Sequence, residues 1–180
     1  MTWLWPLHNH DVSIPVQDHD GAFGKKRRYD IHTGVDLYCD PGQIVVAVEP
    51  GVVVGIETFT GPRAQSPWWL ETEAVLIEGA SGVVLYGEVK PEVKVGDWVE
   101  RGWIVGRTLQ VRRTDIVARM KRILHGRIVD DKPKTMLHFE LYDKGVDRAV
   151  SWNHGEEKPA ALRDPTKALL QAKYPGSCIV

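Results

Sequence analysis

From residue 30 to about residue 110 the chain alternates valine-rich runs with glycine, as in QIVVAVEPGVVVGIE, EAVLIEGASGVVLYGEV and VKVGDWVERGWIVGR. β-Branched residues fit a pleated strand, and Gly or Pro between such runs marks a turn, so this part predicts an antiparallel core built from hairpins. No strand–helix–strand alternation occurs, which argues against a parallel sheet. The period changes in TDIVARMKRIL, residues 114–124, where Ile116, Met120 and Ile123 share a face, Val117 and Leu124 flank it, and Arg119, Lys121 and Arg122 lie mostly outside. That predicts one short amphipathic helix capped by Thr114. A polar loop then leads back to a strand in TMLHFELYDKG, and LRDPTKALLQAKY predicts a C-terminal turn and helix. The expected class is all-β with minor α.

Composition narrows this picture. A chain of 180 residues with 43% hydrophobic residues is long enough for one sizeable core, so a single domain over residues 1–180 is the expectation. With 23 Lys+Arg against 24 Asp+Glu the formal net charge is -1, and no overall field draws in nucleic acid or an anionic membrane. The first residues, MTWLWPLHNHDVSIPV, lack a basic start and are interrupted by Pro6 and His8, which predicts neither a signal peptide nor a membrane span and leaves localisation open. Cys39 and Cys178 fit no disulfide framework or Cys-His zinc spacing, and two free thiols are expected.

Candidate chemistry begins in YDIHTGVDLYCDPG. His32 and Asp36 stand four residues apart in a segment that reads as strand, and that spacing alone does not separate a pair of metal ligands from an ordinary polar pair. In KTMLHFELY the apolar and polar residues alternate, so Met136, His138 and Glu140 project to one face and Leu137, Phe139 and Leu141 to the other. Two imidazoles and one carboxylate with an open water position are what a tetrahedral zinc site requires, so His138 tips the reading toward Zn2+ held by His32, Asp36 and His138.

The segments HTGVDL, PGQIVVAVEPGVVVGI, VVLYGEV, VKVGDWVERGWIVGR and MLHFELY, taken in this order over residues 28–150, resemble the lysostaphin-type (LytM-like) zinc metallopeptidases, which cut peptide bonds in bacterial peptidoglycan. The resemblance implies a split-barrel antiparallel core of the duplicated hybrid-motif kind, a zinc cofactor on His32, Asp36 and His138, and a peptidoglycan or peptide substrate. It also exposes two departures. The family's first histidine of the His-x-His pair is Met136 here, whose thioether takes no proton, and the histidine that follows its Tyr-Gly pair is Glu88. The implied activity is a zinc-dependent endopeptidase with Glu88 as general base, since a carboxylate can do that work beside zinc. Glu88 as a fourth ligand, or as a solvated strand-end residue, stays open at this stage. Met136, one pleat from His138, is expected to make the pocket wall apolar, with the zinc charge nevertheless keeping Glu88 ionised at neutral pH.

Three rivals bear on function. A zinc-binding descendant that holds cell wall or a protein partner without cutting is the main alternative, because both helper imidazoles are missing. Biotinyl and lipoyl carrier modules use similar valine-glycine hairpins, but the modified hairpin lysine has no counterpart here. A glucose-type phosphocarrier also holds a His-x-Gly-x-Asp segment, but after a long β-rich stretch that this chain lacks. Other features carry less weight: His8 and His10 predict exposed imidazoles on an N-terminal loop, and Lys25 to Arg28 a solvated basic loop. Trp68 and Trp69 fit either a ligand platform or packing on the sheet, while His125 and His154 read as incidental.

The resembling proteins usually join their last two core strands by a short loop, whereas here residues 112–134 intervene, and a local cap beside the groove is expected. Deleting 112–134 should leave zinc stoichiometry unchanged and alter which peptides are cleaved. Loss of the folded state, read by circular dichroism, would instead assign the segment's apolar face to the core.

Overall fold

The computed structural model describes residues 2–8, 12–67, 69–111 and 135–174; the expectations for 112–134, His10, Trp68, His125 and Cys178 therefore lie outside the described residues. The segments read as strands form β1 (Val35–Cys39), β2 (Ile44–Val46), β3 (Gly51–Thr60), β4 (Thr72–Gly79), β5 (Val83–Pro91), β6 (Trp98–Val99), β7 (Ile104–Thr108) and β8 (Thr135–Tyr142), and the start of the expected C-terminal turn adds a short strand that the pattern does not predict, β9 (Leu162–Arg163). A short helix, α1 (Thr166–Leu170), follows as the C-terminal pattern predicts. The strands make one sheet in the order β1-β8-β5-β4-β3-β6, with β7 joining β2 to β5 and β9 beside β8. Every named pairing is antiparallel, so the architecture is mostly antiparallel β with one short helix and no closed barrel.

The central strands read as continuous apolar runs because both of their faces are buried. On one face Val35, Leu37, Val75, Val84, Leu137 and Phe139 pack together. On the other, Leu76, Leu85, Tyr142 and Leu162 form a second cluster, covered by residues that include Val146, Val150 and Trp152. All eight residues of β8 are buried, which makes it the strand about which both clusters organise.

Strand β5 changes neighbour partway along its length. Val83 to Gly87 pair with β8, whereas Val89 to Pro91 pair with β7. Glu88 is the residue between, and the register with β4 slips there, Glu73 facing Val89 while the next residue, Ala74, faces Gly87. Its φ of 64° is left-handed, a conformation a non-glycine residue adopts only when its surroundings impose it. The extra residue of such a bulge turns its side chain away from the regular alternation.

The core reaches further toward the N-terminus than residue 28. Trp3, Trp5 and Leu7 are buried in the larger cluster with Leu169 of α1. The amide of Leu4 donates to the Val48 carbonyl at 2.8 Å, that of Trp5 to Lys173 at 2.7 Å, and that of Lys173 to Trp3 at 2.8 Å. Trp3 meets Phe139 of β8 edge-on at 5.6 Å, and Trp5 packs against Tyr174 at 5.5 Å. The imidazole of His8 is exposed as the sequence predicts, yet its backbone amide is bonded to Ile44. No helix among the described residues is long and apolar enough to cross a membrane.

Because Trp5 is 1% exposed and its surroundings are fixed by main-chain bonds on both sides, Trp5→Ala should leave a cavity that cannot collapse. We expect a loss of about 3–5 kcal/mol in chemical denaturation. A loss below about 1 kcal/mol would make the N-terminal segment peripheral to the fold.

Candidate metal centre and groove

The pairing of β1 with β8 sets Asp36 opposite His138, and the pairing of β5 with β8 sets Gly87 on the other side of His138. Ligand candidates 102 residues apart are thus brought together by strand register. His32 precedes β1 instead of lying within it, in the backbone that Lys25 and Gly24 hold by hydrogen bonds to His32. Gly34 lets this segment lie against β8: a Cβ there would stand 2.6 Å from the Phe139 carbonyl and 2.9 Å from His138 Nε2.

The structure brings His32, Asp36 and His138 together, all three buried. His32 Nε2 lies 3.1 Å from Asp36 Oδ1 and 3.2 Å from His138 Nδ1, which is itself 2.8 Å from Asp36 Oδ1. Metal–ligand bonds of about 2.0–2.1 Å in a tetrahedron put neighbouring donor atoms about 3.3 Å apart. The three donors therefore fit one zinc-sized ion after an outward adjustment of a few tenths of an ångström. Each imidazole is oriented from behind: His32 Nδ1–H donates to the Ala22 carbonyl at 2.9 Å, and His138 Nε2–H to Glu140 Oε1 at 2.9 Å. These bonds leave His32 Nε2 and His138 Nδ1 facing the shared centre.

The carboxylate of Asp36 divides its work. Oδ1 faces the two imidazoles, and Oδ2 accepts from Arg27, whose guanidinium also donates to the Asp20 carbonyl at 3.1 Å and 3.3 Å. The basic run 25–28 is therefore not uniformly solvated, since Arg27 is tied to the centre while Arg28 lies 5.2 Å over the Tyr29 ring. Burial pushes Asp36 toward its neutral form, but the hydrogen bonds from His138 and His32 outweigh it and hold the carboxyl well below the usual range. Burial lowers His32. It acts the same way on His138, where the bonds to Asp36 and Glu140 prevail and lift the imidazole to about 10.

Glu88, 7% exposed, borders the same space, and its Oε2 is buried with no hydrogen-bond partner. An orphaned buried carboxyl oxygen on strained backbone is costly to keep and points to a role in binding or chemistry. Burial, reinforced by the Asp36 charge, raises Glu88 to about 8, so without metal it is mostly protonated at neutral pH. A dication among the three donors acts in the opposite direction.

Two adjacent cavities flank the centre. One, of about 480 Å³, is lined by His32, His138, Thr58, Phe59 and Trp152; the other, of about 290 Å³, by Asp36, Tyr38, Met136 and Arg28. Arg27, Trp69 and Glu88 border both, so these three side chains lie between the two halves of the groove beside the centre. Met136 lies in its wall, 6% exposed, as the strand alternation predicts. Trp69 is a groove residue, Cys39 a half-buried free thiol, and His154 an exposed side chain bonded to the Asp30 carbonyl. Sequence reasoning placed Glu140 on the His138 face without assigning it a part; its i, i+2 spacing from His138 on one strand was the available signal. Arg27 had no such signal.

The family described as peptidase family M23 matches residues 30–150. The fold is similar to the solution structure of lysostaphin, with a TM-score of 0.52 and 19% identity over 92% of this chain and 53% of that one. Helicobacter pylori Csd3 aligns with a TM-score of 0.47 and 19% identity, over 87% of this chain and 37% of that one. The chain thus spans about half of lysostaphin and little more than a third of Csd3. Among curated proteins no relative matches.

The metal-free protein should lose stability as pH rises from 7 to 10. Folded His138 keeps its proton up to about 10, whereas the unfolded chain releases it near 6.5, and Glu88 near 8 contributes with the same sign. The folded state therefore binds more protons across this window. Urea midpoints in chelator should fall accordingly, and a flat profile would contradict the assignment of these two groups.

Proposed function

Since the chain belongs to peptidase family M23, we propose that it is a zinc-dependent endopeptidase acting on peptide bonds of peptidoglycan, with His32, Asp36 and His138 holding the ion. The observation that carries this reading is the convergence of three buried donor atoms beside Glu88, whose buried Oε2 has no hydrogen-bond partner, in an open groove. Zinc held there supplies a Lewis acid for the scissile carbonyl and lowers the pKa of water toward about 7. Glu88, once ionised, accepts a proton from the attacking water and returns it to the leaving amine. Its burial gives the side chain little room to swing away, which suits a base that must be in place before the reaction. Arg27 holds Asp36 Oδ2 and so leaves Oδ1 as the oxygen available to the metal. Trp69, which borders both cavities, offers an aromatic face against which a peptide can lie.

A second reading, a non-cutting zinc protein that binds cell wall, draws on Met136. At the position where the resembling enzymes handle a proton, the groove beside Asp36 presents a thioether that takes none, although the rest of that wall, with Arg27, Arg28 and Glu88, is charged instead of apolar as expected. The two readings divide on one series. Glu88→Gln should retain zinc and lose peptidoglycan-peptide hydrolysis by about a hundredfold or more, the range expected when a proton-transfer group is removed. His138→Ala should lose both. If the natural protein cuts nothing while Glu88→His with Met136→His restores cutting, the non-cutting reading stands.

A further inference from the structure

Glu140 is 1% exposed in the middle of β8, where an apolar residue would serve packing equally well. A carboxylate held so deep is costly unless its oxygens are engaged. Both are: Oε1 accepts from His138 Nε2 at 2.9 Å, and Oε2 accepts from the Tyr142 hydroxyl. That hydroxyl in turn accepts from the Val150 amide at 3.2 Å, in a segment that lines the groove. The chain of bonds runs from the candidate metal ligand to the groove wall through buried atoms.

We infer that Glu140 is a positioning residue for the metal: it fixes the ring orientation and tautomer of His138 so that Nδ1, not Nε2, is offered to the ion, and Tyr142 holds Glu140 in place. The inference rests on reading His32, Asp36 and His138 as the ligand set. An imidazole has two nearly equivalent nitrogens, and only a partner on one of them decides which is free. Carboxylates behind metal-bound histidines do this elsewhere, and their loss costs about 10- to 100-fold in metal affinity. For His32 the Ala22 carbonyl performs the same task. A neutral main-chain oxygen suffices there, whereas a buried anion behind His138 also makes the ring a stronger donor. Gly34 belongs to this arrangement, because a Cβ at that position would come within 2.9 Å of both Glu140 Cγ and His138 Nε2.

The test uses the full chain, zinc as the probe, and affinity by chelator competition, alongside 15N chemical shifts of the His138 ring and the melting temperature of the metal-free protein. Wild type should bind one zinc with the ring proton on Nε2. Glu140→Leu should bind it 10- to 100-fold more weakly and lose the defined Nε2–H signature. Glu140→Gln, whose amide oxygen still accepts from Nε2–H, should recover most of the affinity. Tyr142→Phe, which keeps the Glu140 carboxylate but removes the hydroxyl that holds it, should lose several-fold. If Glu140→Leu does not fold, the Gln and Phe variants decide. Zinc affinity and ring signature equal to wild type in every folded variant would make Glu140 a structural residue only. Wild type that takes up no zinc would overturn the ligand assignment itself, and this inference with it.

Discussion

The antiparallel pairing of β1 with β8 is the constraint on which the rest of the structure depends. Register sets Asp36 against His138, and a slip of one residue would turn every β1 side chain to the opposite face. Such a slip is opposed on both sides. Val35 and Leu37 are buried in the same cluster as Leu137 and Phe139, so displacing β1 would bring Asp36 into an apolar core and Leu37 into the groove. The packing of one face thereby fixes the geometry of the polar row on the other.

Strand β5 supplies the third side of the centre through a break in its own regularity. It must hydrogen-bond β8 over its first part and β7 over its last, and Glu88 absorbs the change of direction in a left-handed conformation. In regular extended backbone its side chain would share the face of Tyr86, which lies in the larger core cluster; the bulge instead leaves its carboxyl at the groove, with Oε2 buried and without a hydrogen-bond partner. Gly87, just before it, has no Cβ because the Phe59 ring stands 2.7 Å from where one would be, and that ring packs on His138 at 5.1 Å. Fold strain and site geometry meet in two consecutive residues.

Around the three donors, charge is held by geometry. Asp36 is ionised because its partners outweigh the cost of burial, with Arg27 on one oxygen and the imidazoles on the other. Glu140 is kept below the usual carboxylate range in the same way, by bonds from His138 against burial. Glu88 is the contrasting case, lifted by burial and by the neighbouring Asp36 charge. Carboxylates in one small volume are thus driven in opposite directions, the condition under which one can bind a cation while another exchanges a proton.

The sequence by itself determined the strands, the antiparallel class, the C-terminal helix and the faces of β8, because period-two alternation and glycine punctuation are local properties. The candidate ligands were legible too, since His32, Asp36 and His138 lie in short motifs whose residue types limit their chemistry. Only the tertiary structure decided what depends on distant backbone. Trp3 and Trp5 enter the core through bonds to residues near Lys173, which no local pattern encodes. Arg27, one of four consecutive basic residues, reaches Asp36 because the loop before β1 folds back over the centre, while its neighbour Arg28 lies over Tyr29. Glu140 looked like an alternating polar residue until the closeness of Gly34 and Tyr142 closed off solvent around it. Residue type and spacing state what a side chain is able to do; which atom it faces, and at what cost in solvation, follows from strands far apart in the chain meeting in one register.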